Sequence, residues 1–289
     1  MPELPEVEVV RLGLEPAVTG AVVSAVEVLD ERSLRRHAGD SAEFVGALEG
    51  ARISSVSRRG KFLWLPLAGR EEALTAHLGM SGQMLLRTSD APDDRHLRAR
   101  IRVDGPAGDL VVAFADQRVF GSLAVDRLVP TADVEGERVP SQVAHIARDP
   151  LDPNFDDDAW VAALLRRRTG VKSALLDQTL ISGIGNIYAD EALWRARLHY
   201  GRVTSGLSPS KARELLLHVR EVFAKALAEG GTSFDAQYVN VNGQAGYFAH
   251  SLNVYGRQGK PCPRCGRPIV REKFQNRGSH FCEKCQRER

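Results

Sequence analysis

Apolar residues recur along the first twenty positions at helical spacing. Val7, Val10 and Leu14 share one face, and Gly20 stops the run. From there to residue 128 the rhythm changes. Val/Leu-rich runs at 21–29, 53–67, 73–86, 97–103 and 110–114 are broken by Gly, Pro and Asp, which predicts strands. Their succession without helical patterns predicts a sandwich or a barrel-like pair of sheets. Residues 129–153, with four prolines and many charges, read as a linker. Helical periodicity returns at 156–168, 172–180, 187–197 and 209–229. The last of these has Ser208 as its N-cap, Pro209 in the first turn and Gly230-Gly231 as the stop. The expected plan is α+β and multidomain: a β domain (1–130), a linker (131–153), a helical domain (154–250) and a small C-terminal unit (254–289).

At 289 residues the chain is long enough for two or three units with real cores. Its composition, 43% hydrophobic and 26% charged, is that of an ordinary soluble protein. It contains no apolar run of about 18 residues, which argues against a membrane span. No basic-then-apolar start suggests a signal peptide, so a cytoplasmic location is expected. The net charge of +2 conceals a polarity. Residues 257–289 hold ten Lys/Arg and three Asp/Glu, a net of +7, which leaves −5 for residues 1–256. A basic tail on a nearly neutral body is the electrostatic footprint of a polyanion binder.

All four cysteines lie in that tail, as Cys262-x-x-Cys265 and Cys282-x-x-Cys285 with sixteen residues between the pairs. This spacing matches a four-thiolate zinc site, in which each pair supplies two ligands from a tight turn. Two disulfides are the competing reading, and they would be odd in a chain without a secretion signal. Ile269-Val270 and Ser279-His280-Phe281 alternate well enough for a small hairpin. A closed, structural zinc ribbon is therefore expected. Arg271, Lys273 and Arg277 on its hairpin suggest contacts with phosphates.

The start, Met1-Pro2-Glu3-Leu4-Pro5-Glu6, has two readings. In one, Pro2 opens a helix and the two glutamates sit on its positive end. In the other, Met1 is trimmed and Pro2 exposes a secondary amine. An α-amino group has a pKa of roughly 8, against about 10.4 for lysine, so part of it is neutral at pH 7. Such amines attack carbonyl-type carbons and form imines that act as electron sinks. Further along, Ser182-Gly183-Ile184-Gly185-Asn186 lacks the third glycine and the preceding strand of a dinucleotide site. As a turn between helices it could equally be a plain corner or a place where bare N–H groups receive a phosphate.

Six ordered motifs now resemble one family over essentially the whole chain. They are Pro2-Glu3-Leu4-Pro5-Glu6-Val7, Gly60-Lys61, His77-Leu78-Gly79-Met80-Ser81-Gly82, Asp116-Gln117-Arg118-Val119-Phe120-Gly121, the 181–191 turn and the cysteine ribbon. They look like bacterial formamidopyrimidine-DNA glycosylase. Leu4 favours this family over its endonuclease VIII sister branch, which usually has Gly there.

The resemblance implies an N-terminal β-sandwich, a helix–two-turn–helix domain and a ribbon holding one structural Zn2+. It implies a monomer acting on double-stranded DNA that contains damaged bases or abasic sites. Pro2 would attack C1′ of a flipped-out nucleotide, Glu3 would be the general acid/base, and Lys61 and Arg277 would serve as proton donors or phosphate clamps. His77 and Asn186 resemble phosphate contacts, and His96, Arg118 and Arg167 fall at other DNA-contacting positions. Met80, Arg118 and Phe120 match the residues inserted where the base leaves the stack. Cys262, Cys265, Cys282 and Cys285 would be the metal ligands. One stretch departs from the pattern: Phe234-Asp235-Ala236-Gln237-Tyr238 stands where many members carry a basic residue, which bears on lesion preference. Readings of other kinds are a catalytically silent damage-binding relative, an oxidised-pyrimidine glycosylase of the sister branch, and a glycoside hydrolase using Glu3 and Glu6.

Overall fold

The computed structural model describes residues 2–232, 241 and 246–288, which fall into two compact units, 1–145 with 230–246 and 146–229 with 247–289. The first unit opens with α1 (Leu4–Val18), followed by β1 (Val22–Val28), α2 (Ser41–Leu48), β2 (Ser57–Arg59), β3 (Phe62–Pro66), β4 (Glu72–His77), β5 (Gly82–Thr88), β6 (Leu97–Gly105), β7 (Gly108–Asp116), β8 (Ser122–Pro130) and β9 (Arg138–Pro140). The strands form two antiparallel sheets, β1-β6-β7-β5 and β2-β3-β4-β8-β9. They are the two layers of a β-sandwich. One continuous core joins Val23, Ile101, Val112 and Phe114 of the first sheet to Leu63, Leu65, Leu74 and Leu123 of the second. Val7, Val10 and Leu14 of α1 enter the same core, as their spacing predicted.

Two of the predicted strands each prove to be two. Residues 53–67 contain a hairpin, because Gly60 (φ +56°) reverses the chain between β2 and β3. Residues 73–86 cross from one sheet to the other at Gly79 (φ +59°), so β4 and β5 belong to different layers. Both breaks carry turn signals, Arg58-Arg59-Gly60-Lys61 in the first and Gly79 with Ser81-Gly82 in the second, which the apolar residues on either side outweighed. Three elements were not anticipated. The helix α2 buries only Phe44 and Leu48, but Asp40 and Glu43 cap it reciprocally. The strand β8 lies between β4 and β9 in the second sheet, and β9, within residues 131–153, completes that sheet.

The second unit comprises α3 (Asp157–Arg166), α4 (Val171–Leu176), α5 (Asn186–Arg195), α6 (Pro209–Ala228) and the hairpin β10 (Val270–Phe274)–β11 (Arg277–Phe281). Ser208 caps α6 as expected, accepting from the Lys211 N–H at 3.2 Å. The α4 helix stops four residues short of the predicted end because Asp177 takes the N–H and hydroxyl of Thr179 into a local turn. Tyr188 of α5 packs edge-on to Phe223 of α6 at 5.3 Å and stacks on Phe248 at 5.6 Å. The α5 helix also carries two buried carboxylates that anchor remote parts of the unit. Glu191 accepts the backbone N–H groups of Asn253, Val254 and Tyr255 at 2.8–3.0 Å. Asp190 meets the fully buried Lys172 of α4 at 2.6 Å. Lys172 in turn donates to the Gly278 carbonyl and the Ser279 hydroxyl of β11 at 3.2 and 3.0 Å. No described helix is long and apolar enough to cross a membrane.

Candidate active site and nucleic-acid interface

The N-terminal segment resolves one of its two readings. Glu3 is the N-cap of α1 and Leu4 its first residue, so Pro2 stands outside the helix and is not the helix-opening proline. That place in the first turn belongs to Pro5. Pro2 and Glu3 are both buried. The Glu3 N–H donates to the Glu6 carboxylate at 2.8 Å, and the same carboxylate receives the N–H and hydroxyl of Thr232 at 2.8 and 2.7 Å. A buried carboxylate with three donors is a rigid anchor, and here it fixes the backbone next to the candidate nucleophile.

At one end of the five-stranded sheet, Phe62 of β3 pairs with His77 of β4, which pairs with Ser122 of β8. Lys61 directly precedes Phe62 in the β2–β3 turn. The Gly79 N–H donates to His77 Nδ1 at 3.1 Å, so a neutral ring carries its proton on Nε2. Burial first, then the charges of Arg36, Lys61 and Arg35, push the His77 pKa down to about 4. His77 is therefore a neutral Nε2–H donor at physiological pH, suited to a phosphate oxygen without itself adding charge.

Met80, Arg118 and Phe120 do come together. The Arg118 guanidinium lies 4.6 Å from the Phe120 ring centroid and 4.0 Å from the Met80 sulfur. Met80 and Phe120 are 38% and 40% exposed, unusual for large apolar side chains. The turn that displays them is built tightly. Buried Asp116 accepts from the Ser81 hydroxyl, the Arg118 N–H and the Gly121 N–H at 2.5, 3.1 and 2.6 Å. Val119 is held at φ +52°, a strained conformation for a β-branched residue. Its carbonyl and that of Phe120 both accept from Arg35. Gly79 is required here, because a Cβ would lie 2.3 Å from the Phe120 carbonyl oxygen. His96 sits behind this turn, its carbonyl accepting the Asp116 N–H at 2.8 Å. Its buried Nε2 has no partner among the described residues.

In the second unit, Asn186 begins α5 and donates from Nδ2 to the Gly278 carbonyl at 3.1 Å, which places it beside Arg277 on the ribbon hairpin. Its buried Oδ1 lacks a partner among the described residues. Arg277 is exposed and donates to the Asn276 side chain at 3.2 Å. Arg167, at the end of α3, pairs with Asp177 at 2.8 Å, which partly neutralises it. The stretch 234–238 lies outside the described residues.

The four cysteine sulfurs all lie within 4.8 Å of one another. Zinc–sulfur bonds of about 2.3 Å in a tetrahedron place the sulfurs roughly 3.8 Å apart, so the set fits the ion. The disulfide reading fails: Cys265 and Cys282 Sγ are 3.4 Å apart, far beyond the roughly 2.05 Å of an S–S bond, and the cysteines are free. The Trp194 indole N–H points at Cys262 Sγ at 3.5 Å, and Trp194, Val254 and Ile269 cover the site. The ribbon is a closed site for one structural zinc ion.

Three of these features were invisible to sequence reasoning. Glu6 registered only as a helix-dipole partner, although Glu3 and Glu6 have the spacing of a capping box. Asp116 has near partners in Arg118 and Gly121, but its link to Ser81, 35 residues away, and the ties of the Lys172–Asp190 pair to β11 had no local signal.

Comparison with known proteins agrees along the whole chain. Residues 1–123 match the formamidopyrimidine-DNA glycosylase N-terminal domain, 146–237 its H2TH domain, and 259–287 the zinc finger found in that enzyme and IleRS. The chain is 59% identical to the formamidopyrimidine-DNA glycosylase of Leifsonia xyli subsp. xyli, covering 99% of this chain and 100% of that one. It is 56% identical to that of Rhodococcus jostii, covering 99% and 96%. A point mutant of the Lactococcus lactis enzyme, solved in complex with a Fapy-dG containing DNA, superposes with a TM-score of 0.83 at 31% identity, covering 99% and 100%. The Thermus thermophilus enzyme gives 0.81 at 38% identity, covering 99% and 98%. Sandwich, helix–two-turn–helix and zinc ribbon thus define a DNA glycosylase of base-excision repair. The chain belongs to the bacterial formamidopyrimidine-DNA glycosylase family.

Proposed function

We propose that this enzyme excises oxidised purines, 8-oxoguanine and formamidopyrimidines, from duplex DNA and then opens the strand by β,δ-elimination on Pro2. The Lactococcus lactis relative was crystallised both with Fapy-dG containing DNA and with DNA containing an abasic site, which supports both halves of that reading. One observation carries the assignment of the nucleophile: Pro2 lies outside α1, immediately before a backbone N–H fixed by the buried Glu6 carboxylate.

Once Met1 is removed, the Pro2 nitrogen forms a bond to C1′ as the glycosidic bond breaks and the base departs with its electron pair. Glu3 is placed to move the protons that this exchange requires. The C1′–O4′ bond of the resulting aminal then breaks, O4′ taking a proton, and the secondary amine leaves an iminium that is cationic without further protonation and withdraws electrons for the two eliminations. Met80, Arg118 and Phe120 fill the gap left by the extruded nucleotide. Lys61, His77, His96, Arg167, Asn186 and Arg277 hold the sugar-phosphate backbone, with Lys61 and Arg277 also available for proton transfer. The working modules are residues 1–130, 154–250 and 254–289, joined through 131–153. The enzyme works as a monomer on the chromosome in the cytoplasm.

Excision is tested with duplexes carrying 8-oxoguanine. Glu3→Gln should lower base release by about 10²–10⁴-fold, the usual worth of a positioned general acid/base. Nicking equal to wild type would overturn the role of Glu3.

A further inference from the structure

Arg36 follows the short turn after β1 and is exposed. Its main chain is anchored, the carbonyl accepting from Gln142 Nε2 at 3.1 Å. Its guanidinium lies 5.5 Å from the centroid of the Phe62 ring. On the same ring, His77 packs at 4.7 Å. Arg36 and His77, whose ring is tilted 58° to that of Phe62, therefore both contact Phe62, with Lys61 adjacent in the chain. No carboxylate or carbonyl accepts from the Arg36 guanidinium among the described residues. Its neighbour Arg35 differs, because its guanidinium is engaged by the carbonyls of Val119 and Phe120. The charges of Arg36, Lys61 and Arg35 all disfavour a proton on His77.

An arginine resting on an aromatic face is partly oriented before any ligand arrives, and its planar fork matches phosphate oxygens. A cation with no acidic partner beside a neutral Nε2–H donor is a site waiting for an anion. We propose that Arg36 binds a backbone phosphate of duplex DNA, extending the Lys61–His77 contact surface by one phosphate. This rests on the reading of the chain as a DNA-repair enzyme. The contact is to the backbone, so it adds affinity without reading bases or damage.

The test uses the full-length, zinc-loaded protein and its affinity for an undamaged and an abasic-site duplex between about 50 and 200 mM salt. Arg36→Gln should reduce the slope of log K against log salt by about 0.9, the contribution of one phosphate, equally on both duplexes. Arg36→Lys should keep the wild-type slope. Arg127→Gln, on the far end of β8 from Ser122, should also keep it. A wild-type slope in Arg36→Gln, or an equal reduction in Arg127→Gln, would overturn the proposal. Borohydride trapping of the wild type keeps the two claims apart. Its failure would sink the repair reading itself, whereas trapping with an unchanged Arg36→Gln slope would sink the phosphate site alone.

Discussion

Glu6 and Thr232 stand 226 residues apart in sequence and are joined by two hydrogen bonds of 2.8 and 2.7 Å to one carboxylate oxygen. The other oxygen holds the Glu3 N–H. A single buried side chain thus ties the N-terminal segment to residues 230–232, which come after α6 in sequence. Glu6→Gln replaces a charged acceptor with an amide that cannot satisfy all three donors. Hydrogen bonds to charged groups contribute about 1.5–3 kcal/mol each, so unfolding by urea should show a loss of at least that size. Thr232→Val removes only the hydroxyl and should cost about 1 kcal/mol. Equal costs for the two variants would contradict the hub.

Lys172 and Asp190 form a fully buried ion pair that holds β11 against α4 and α5. Removing one partner leaves a charge in the interior, which typically costs about 3–5 kcal/mol. Lys172→Met should therefore destabilise the protein by roughly that amount, and adding Asp190→Asn should restore part of it. A double variant no better than the single would show that the charge pairing is not what matters. The readout is denaturant unfolding.

The depressed basicity of His77 gives a pH dependence of definite sign. The unfolded chain binds the proton at about pH 6.5, the folded one only near pH 4. Stability from this group is present above pH 6.5 and is lost as pH falls through that window towards 4, by an amount on the order of 3 kcal/mol. His77→Asn should flatten that part of the profile. An NMR titration of the free protein should show this ring still neutral at pH 6; a midpoint near 6.5 would refute the assignment.

Much of this was legible in the chain. The stripe Val7, Val10, Leu14, the Ser208 cap and the cysteine spacing are local signals, and each proved correct because period, cap and ligand spacing are set by near neighbours. The breaks at Gly60 and Gly79 were not read from the chain, although Ser57-Arg58-Arg59-Gly60-Lys61 is a polar interruption and Gly79 is followed by Ser81-Gly82. Nor were Lys172 and the Ser81 contact of Asp116: Lys172 reaches partners up to 107 residues away and Ser81 lies 35 residues from Asp116, and only the fold brings them together. At the site, Met80, Arg118 and Phe120 were expected on resemblance and prove to be adjacent. His77 was expected as a phosphate contact on resemblance, but its lowered basicity came from burial and three neighbouring cations that only the fold brings to it.

Zinc should be present at one ion per chain by elemental analysis. Because ribbon folding is coupled to its metal, chelation should weaken DNA binding while the sandwich stays folded, with its protection from hydrogen exchange unchanged. Cys282→Ala should act in the same way. Undiminished DNA affinity after complete metal removal would dissociate the ribbon, and with it Arg277, from the interface.

The proposed bond between the amine of Pro2 and deoxyribose is the step on which the other proposed catalytic roles depend. Borohydride reduction of the enzyme with 8-oxoguanine duplex, followed by digestion and mass spectrometry, locates that bond directly. The sugar adduct should appear on an N-terminal peptide that begins at Pro2, with Met1 absent. An adduct on a lysine, or active enzyme that still carries Met1, would contradict it.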